Sequence, residues 1–170
     1  MLTRQNKFIK WASYALALVL VTFLENSVFA RFPVWGVIPV MIPLAAAMAG
    51  VFEGPAPGAA FGIGVGVMCQ ALYFRGGGWL VLGCAVAGLL AGLIARYAFG
   101  PTLASAFVSS LAALLLLDGA RVLLRLAQGA ALPGLLRIAG PEILYSLAAS
   151  LLVFLIFRGV YRRVGGDALA

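Results

Sequence analysis

The chain has 170 residues, of which 64% are hydrophobic and 10% charged, and its mean hydropathy is +1.11. An ordinary soluble domain carries about 25% charged residues, so this composition excludes a water-soluble globule and indicates a chain embedded in lipid. The formal net charge is +7. Its bases stand singly or in pairs at the ends of apolar runs, a pattern that reports membrane topology, and we expect no nucleic-acid partner.

Charged residues divide the chain into six apolar segments, and about 20 apolar residues are needed to cross a bilayer as a helix. The sequence therefore predicts an all-α integral membrane protein, with a single transmembrane domain over 1–170 built as a bundle of six membrane-spanning helices. The predicted spans are 8–29, 36–53, 57–74, 79–98, 102–126 and 141–160.

The first predicted helix begins among basic residues and is followed by Val28-Phe29-Ala30. These features resemble a signal peptide with its cleavage site. Because the next apolar segment follows at once, we expect a transmembrane helix that stays attached. The second predicted helix contains Pro39 and Pro43. Each proline lacks a backbone donor, so this pattern predicts a kinked helix whose freed carbonyls need neighbouring helices or water.

The third and fourth predicted helices carry glycines four residues apart. These are Gly58, Gly62 and Gly66 in the third helix, and Gly88 and Gly92 in the fourth. Small residues at this spacing let membrane helices approach closely. We therefore expect the two helices to form an antiparallel pair, and the alternative is a groove that receives a partner protein.

A charge within a membrane span costs about 2.5 to 3.5 kcal/mol, and the polar residues of most interest in the predicted spans are Glu25, Gln70, Asp118, Arg121 and Arg125. Asp118, Arg121 and Arg125 are spaced about one turn apart, so they share a helix face and can neutralise one another. They form either a local ion pair near the interface or a site for a partner or ligand. Glu25 closes the first helix and Gln70 the third. Both are expected near the membrane boundary, with Gln70 placed to hydrogen-bond across helices.

The segment 128–140 contains Pro133 and Gly134 and separates the last two predicted spans. It is either a short interfacial or re-entrant helix or an ordinary loop. Six spans place both termini on one side of the membrane. Seven of the 12 bases then lie on that side and five on the other, which predicts a cytoplasmic N-terminus and a cytoplasmic C-terminus.

Histidine is absent, and the chain has five acids and two cysteines, Cys69 and Cys84, both in apolar stretches. The commonest general base and metal ligand is therefore missing, and too few acids and thiols are present for a metal cluster or a nucleophilic triad. We expect no catalysis, no cofactor and no metal, and we interpret the two cysteines as packing residues.

Four segments resemble the rod shape-determining membrane protein MreD family. They are Phe23-Leu24-Glu25-Asn26-Ser27-Val28-Phe29, Gly36-Val37-Ile38-Pro39, the glycine run 58–70, and Glu142-Ile143-Leu144-Tyr145-Ser146. The chain departs from the family at four positions. The family commonly has Gln at the place of Glu25, an acid at that of Val40, Asp at that of Gln70 and Asn at that of Ser146.

The resemblance implies a six-helix protein of the bacterial inner membrane that acts without catalysis. Members of the family belong to the cell-elongation (rod) complex and help to maintain cell shape by coupling MreB and MreC to peptidoglycan synthesis. MreC is the partner expected first, followed by MreB, RodA and a penicillin-binding transpeptidase, with membrane lipids around the bundle. By this interpretation, the glycine faces and the Asp118–Arg125 face organise the bundle and its contact with a partner.

The family is similar in fold to the substrate-binding subunits of energy-coupling-factor transporters. The alternative function is therefore a small-molecule (vitamin) binding subunit of such a transporter. A subunit of that kind needs an outward cavity lined by polar and aromatic residues. The candidates are Glu25, Asn26, Trp35, Gln70, Tyr73, Trp79, Gln128 and Glu142.

Overall fold

The computed structural model describes residues 4–34, 36–73, 78–129 and 132–165. Six helices account for most of them: α1 Arg4–Phe23, α2 Ile42–Glu53, α3 Pro55–Tyr73, α4 Trp79–Ile94, α5 Leu103–Ala127 and α6 Leu132–Val160. Short π-helical or 3-10 turns continue α1, α4 and α6 at their C-terminal ends. Except for α2, these helices are long and apolar enough to cross a membrane. The expectation of an all-helical, multi-pass membrane protein is confirmed.

Helix α2 lies at the centre of the bundle and contacts each of the other five helices. Every residue from Ile42 to Phe52 is buried. Its 12 residues rise about 18 Å at roughly 1.5 Å each, whereas the hydrocarbon core of a bilayer is about 30 Å thick. The helix is therefore too short to cross the core alone, and it begins inside the bundle, because Met41 and Ile42 are fully buried.

The structure differs from the predicted second span, 36–53. Residues 36–41 are not helical, and α2 starts at Ile42. Pro39 precedes the helix and Pro43 lies in its first turn, where a backbone N–H has no partner within the helix in any case. The predicted proline kink at these two positions is therefore wrong, because the prolines mark where the helix begins.

The last helix also differs from its predicted span, 141–160. Helix α6 begins at Leu132 and contains Pro141 in its interior. The segment between α5 and α6 is thus helical from residue 132 onwards and continuous with α6. A proline removes a single donor and crowds one carbonyl. That local defect does not end a helix whose turns on both sides are rich in leucine.

Glycines bring α2, α3 and α4 into direct backbone contact. A Cβ atom built on Gly58 would lie 2.5 Å from the Cα atom of Gly50 and 2.6 Å from the carbonyl oxygen of Gly88. A Cβ atom built on Gly66 would lie 2.5 Å from the Cα atom of Val81. Real Cβ contacts are not this short, so only glycine permits this packing distance.

The remaining glycines of the two runs lie in the same interface. Gly62 of α3 faces the backbone of Cys84, and Gly92, near the end of α4, faces Pro55, at the start of α3. Helices α3 and α4 are therefore antiparallel. The five glycines expected to serve packing or partner binding are all occupied by contacts within the chain, which leaves no open glycine groove among them.

A contact between α1 and the C-terminal end of α2, and another between α1 and α6, show how these three helices run relative to one another. The carboxylate of Glu53, the last residue of α2, pairs with the ammonium of Lys10 near the start of α1. The ring of Phe157, late in α6, lies 5.6 Å from the ring of Tyr14 between centroids. Helix α2 therefore runs opposite to α1, and α6 ends near the level at which α1 begins.

Replacing Gly88 by Ala tests the backbone contact. The new methyl group would collide with the Gly58 carbonyl, and we expect this overpacking to cost about 1–3 kcal/mol of stability and to lower the melting temperature in detergent. Gly64→Ala is the matched control, because a Cβ atom there meets nothing within 4 Å. Equal melting temperatures for the two variants would show that the close approach is not needed.

Candidate functional site

A partly open cavity of about 650 Å³ lies where α1 ends, α2 begins and α5 approaches α6. Its apolar lining includes Pro39, Trp79, Leu80, Leu114 and Leu117. Its polar lining consists of Glu25, Asn26, Asp118, Arg121, Arg125, Gln128 and Glu142. Three carboxylates and two guanidinium groups thus line one cavity at the end of the bundle where α2 begins.

Glu25 holds the beginning of α2. Its Oε2 atom accepts hydrogen bonds from the backbone N–H groups of Met41 and Ile42, each at 2.8 Å. The first N–H groups of a helix have no partner within the helix, and this end carries a partial positive charge. A carboxylate satisfies both needs. The buried charge of Glu25, which is 5% exposed, is matched by the helix it caps.

Helix α6 completes the same junction from the other side. The backbone N–H of Val40 donates to Ser146 Oγ at 2.8 Å, and the Tyr145 hydroxyl donates to the carbonyl oxygen of Phe32 at 3.1 Å. A non-helical segment inside a membrane protein is tolerated only where its backbone groups find partners in protein or water. Side chains from α1 and α6 supply those partners for the residues before α2.

Arg121 joins α5 to α6 through Glu142 and also contacts Asp118 on its own helix. Its Nη1 atom lies 2.8 Å and 3.0 Å from the two carboxylate oxygens of Glu142 and 3.3 Å from Asp118 Oδ1. Asp118 is 4% exposed, and its Oδ2 atom has no hydrogen-bond partner in the described part of the chain. Glu142 therefore makes the shorter contacts with the guanidinium, and one carboxylate oxygen of Asp118 has no partner among the described residues.

A smaller polar cluster lies at the opposite end of α2. Glu53 pairs with Lys10, and its Oε1 atom accepts a hydrogen bond from the Tyr14 hydroxyl at 2.9 Å. A carboxylate at the C-terminal end of a helix is disfavoured by the partial negative charge there. Two donors from α1 offset this, so α1 contacts α2 through polar side chains at both ends.

The five polar residues named in the sequence analysis do not form one cluster. Glu25 is inside the bundle at the α2 junction, and Asp118 and Arg121 are paired on the cavity wall. Arg125 also lines the cavity, but it makes no ion pair with any described acid. Gln70 is exposed on α3 outside the cavity. It makes no hydrogen bond to another described residue, so the expected bond across helices is absent there.

The sequence did not predict the partners of three residues that hold the helices together. Glu142 was not assigned to Arg121, Ser146 was not assigned to the α2 junction, and Glu53 was not assigned to Lys10. The available signal is position: Glu142 and Glu53 are lone acids at the edges of long apolar runs, where an unpaired charge is costly. Each is therefore expected to have a basic partner, although the sequence does not say which.

The cavity contains most of the residues that a vitamin-binding subunit would use. Glu25, Asn26, Trp79, Gln128 and Glu142 line it, and Gln70 does not. Trp35 and the side chain of Tyr73 lie outside the described residues. The structure therefore contains a cavity with polar and aromatic lining, as the alternative function requires.

Among the described residues, no group of three or more His, Cys, Asp and Glu side chains is arranged to hold a metal ion. The three cavity carboxylates are instead engaged with backbone N–H groups and with Arg121. No family model, no curated protein and no solved structure matches the chain. The chemistry available at the site is the binding of polar or charged groups beside an apolar wall.

Glu25→Leu tests the capped junction. The change leaves two buried N–H groups without an acceptor, at about 1–3 kcal/mol each, so we expect a clear fall in the melting temperature of the detergent-purified protein. Glu25→Gln retains an acceptor oxygen and should lose much less. Asn26→Ala is the control, because Asn26 is exposed and its amide donates only to Thr22 within α1. A Glu25→Leu variant as stable as the control would contradict the capping role.

Proposed function

We propose that the protein is a non-catalytic scaffold of the MreD type in the bacterial inner membrane. In this role it belongs to the cell-elongation complex and couples MreB and MreC to peptidoglycan synthesis, with RodA and a penicillin-binding transpeptidase as further partners. The proposal starts from the four sequence segments that resemble the family. Its structural support is the position of those segments in the fold.

Three of the four segments meet at the start of α2. Glu25 from the first segment bonds to backbone groups 16 and 17 residues away. Ser146 from the last segment bonds to Val40, which is 106 residues away and next to Pro39 of the second segment. The remaining segment, 58–70, contributes the glycines that pack against α2 and α4. Three of the four segments that resemble the family thus contribute to one junction, which supports the proposal.

Two departures from the family pattern are compatible with this role. The family commonly has Gln at the place of Glu25 and Asn at the place of Ser146. Each of these side chains has an oxygen that can accept a hydrogen bond from a backbone N–H. The position at the α2 junction thus needs an acceptor, and the identity of the acceptor can vary.

The path of the chain supports the proposal of six crossings with both termini on one side, and the distribution of basic residues favours the cytoplasm as that side. Contacts at both of its ends place α2 between the levels of Glu25 and Lys10. Together with the non-helical residues before it, which extend up to about 3.3 Å each, α2 is long enough to return the chain to the side on which it started. Five long helices and this composite segment would make six crossings, and an even number of crossings puts both termini on one side.

Single-cysteine labelling tests the topology. Arg137 and Arg162 are both exposed, at opposite ends of α6 and its final turn. We expect a membrane-impermeant maleimide to label Arg137→Cys in intact cells and Arg162→Cys only after permeabilisation. Native Cys69 and Cys84 are buried and give the background, measured on the unmodified protein. Labelling of both sites from one side would contradict the six-crossing path.

Affinity purification from native membranes tests the scaffold role, and we expect MreC to be enriched. The glycine runs are packed internally, so variants such as Gly62→Leu test the fold and not a partner surface. Partner contact is better tested by Leu→Trp at exposed positions on different helices. Suitable sites are Leu16, Leu82, Leu115 and Leu155. We expect one of them to lose MreC recovery without a change in melting temperature.

The cavity favours a second candidate, a vitamin-binding subunit of an energy-coupling-factor transporter. Its support is the set of polar and aromatic residues that line the 650 Å³ space. Purification would then recover the transporter's energising subunits and not MreC, and one vitamin would specifically raise the melting temperature in detergent. Recovery of MreC without stabilisation by any vitamin would reject this candidate, and the reverse result would reject the scaffold.

A further inference from the structure

Among the described residues that line the cavity, one acidic and one basic side chain are not fully paired, namely Asp118 and Arg125. The charge of Glu25 is matched by the start of α2, and that of Glu142 by the guanidinium of Arg121. Asp118 has only the longer 3.3 Å contact to that same guanidinium, and its buried Oδ2 atom has no hydrogen-bond donor among the described residues. Arg125 has no carboxylate partner there.

The two groups left over are arranged in sequence along α5. Asp118 and Arg125 are seven residues apart, which is nearly two full turns, so they lie on one face about 10 Å apart along the axis. Arg121 lies between them and is already engaged by Glu142. Asp118 and Arg125 both line the cavity. The long side chain of Arg125 can extend back toward the N-terminal end of α5, which brings its guanidinium closer to Asp118 than the backbone spacing. A molecule that contacts both groups must carry a cationic donor at one end and an anion a few ångströms away.

We propose that the cavity binds the zwitterionic phosphoethanolamine group, with its ammonium at Asp118 and its phosphate at Arg125. The ammonium supplies the N–H donor that Asp118 Oδ2 lacks, and the guanidinium suits a phosphate through paired hydrogen bonds. Trp79 on the cavity wall offers an aromatic surface that also favours a cation. Buried carboxylates are stable only when paired, which gives the ligand a structural reason to stay.

The apolar part of the lining fits the rest of such a molecule. Pro39, Leu80, Leu114 and Leu117 surround the polar groups and lower the competition from water for the charged contacts. The same headgroup chemistry is found in a phospholipid and in a free phosphoethanolamine ester. This binding site is additional to the scaffold role and does not depend on it.

Binding to the purified protein tests the proposal. The wild type is placed in nanodiscs that contain phosphatidylethanolamine, phosphatidylcholine or phosphatidylglycerol, each diluted in the same neutral carrier lipid. The lipid that the protein retains is measured by native mass spectrometry. In a separate arm, soluble glycerophosphoethanolamine is titrated by calorimetry. We expect retention of phosphatidylethanolamine over the other two, because the choline headgroup has no N–H donor and the glycerol headgroup has no cation. Binding of the soluble ester as well identifies a free ester as a ligand, and retention of the lipid alone identifies the lipid headgroup.

Variants locate the site. A hydrogen bond to a charged group contributes about 1.5–3 kcal/mol, so Arg125→Gln and Asp118→Asn should each weaken binding about tenfold or more. Arg137→Gln is the matched control, an exposed arginine that does not line the cavity, and it should bind as the wild type does. If Asp118→Asn fails to fold, Arg125→Gln and the comparison of lipids on the wild type still decide.

Three results would overturn the proposal: equal retention of the three lipids, no binding of either probe, or wild-type affinity in Arg125→Gln. MreC recovery is measured on the same variants. In the wild type, no lipid selectivity together with normal MreC recovery rejects the ligand site alone, whereas no MreC recovery together with selective retention of phosphatidylethanolamine rejects the scaffold alone.

Discussion

The start of α2 inside the bundle is the constraint on which the rest of the structure depends. In a lipid environment, backbone N–H groups that lack a partner cost several kcal/mol, and no water is present to supply one. The carboxylate of Glu25 and the hydroxyl of Ser146 provide the acceptors. Glu25 lies in the π-helical turn that continues α1, and Ser146 lies in α6. The unpaired N–H groups at the start of one short helix therefore connect the first and the last helix of the chain.

The packing of α2 and the cavity have a common origin. Glycines at 50, 58 and 88 let α2 sit in backbone contact with α3 and α4, so its lateral position is fixed without large side chains. A helix of 12 residues is shorter than its neighbours, and the space that it leaves lies at its N-terminal end. Asp118, Arg121 and Glu142 face that space. The shortness of the central helix therefore creates the polar site.

Hydropathy was sufficient to predict the class of fold and the limits of α3, α4 and α5 to within a few residues, because lipid requires long apolar helices. Hydropathy did not predict where α2 begins, because a buried apolar segment has the same hydropathy whether its backbone is helical or extended. The spacing of Asp118 and Arg121 predicts their contact, as i,i+3 neighbours share a face. The role of Glu142 depends on the tertiary approach of α5 and α6, which local spacing does not contain.

The bond between Val40 and Ser146 also has a consequence for synthesis. Glu25 emerges from the ribosome before α2, so the cap of that helix is available as soon as the first two segments enter the membrane. Ser146 follows 106 residues after its partner, and until then the Val40 donor must be satisfied by water or by the insertion machinery. The N-terminal half of the protein therefore lacks this hydrogen bond until α6 is inserted. A chain truncated before α6 would have no side chain of α6 to accept from the Val40 N–H group.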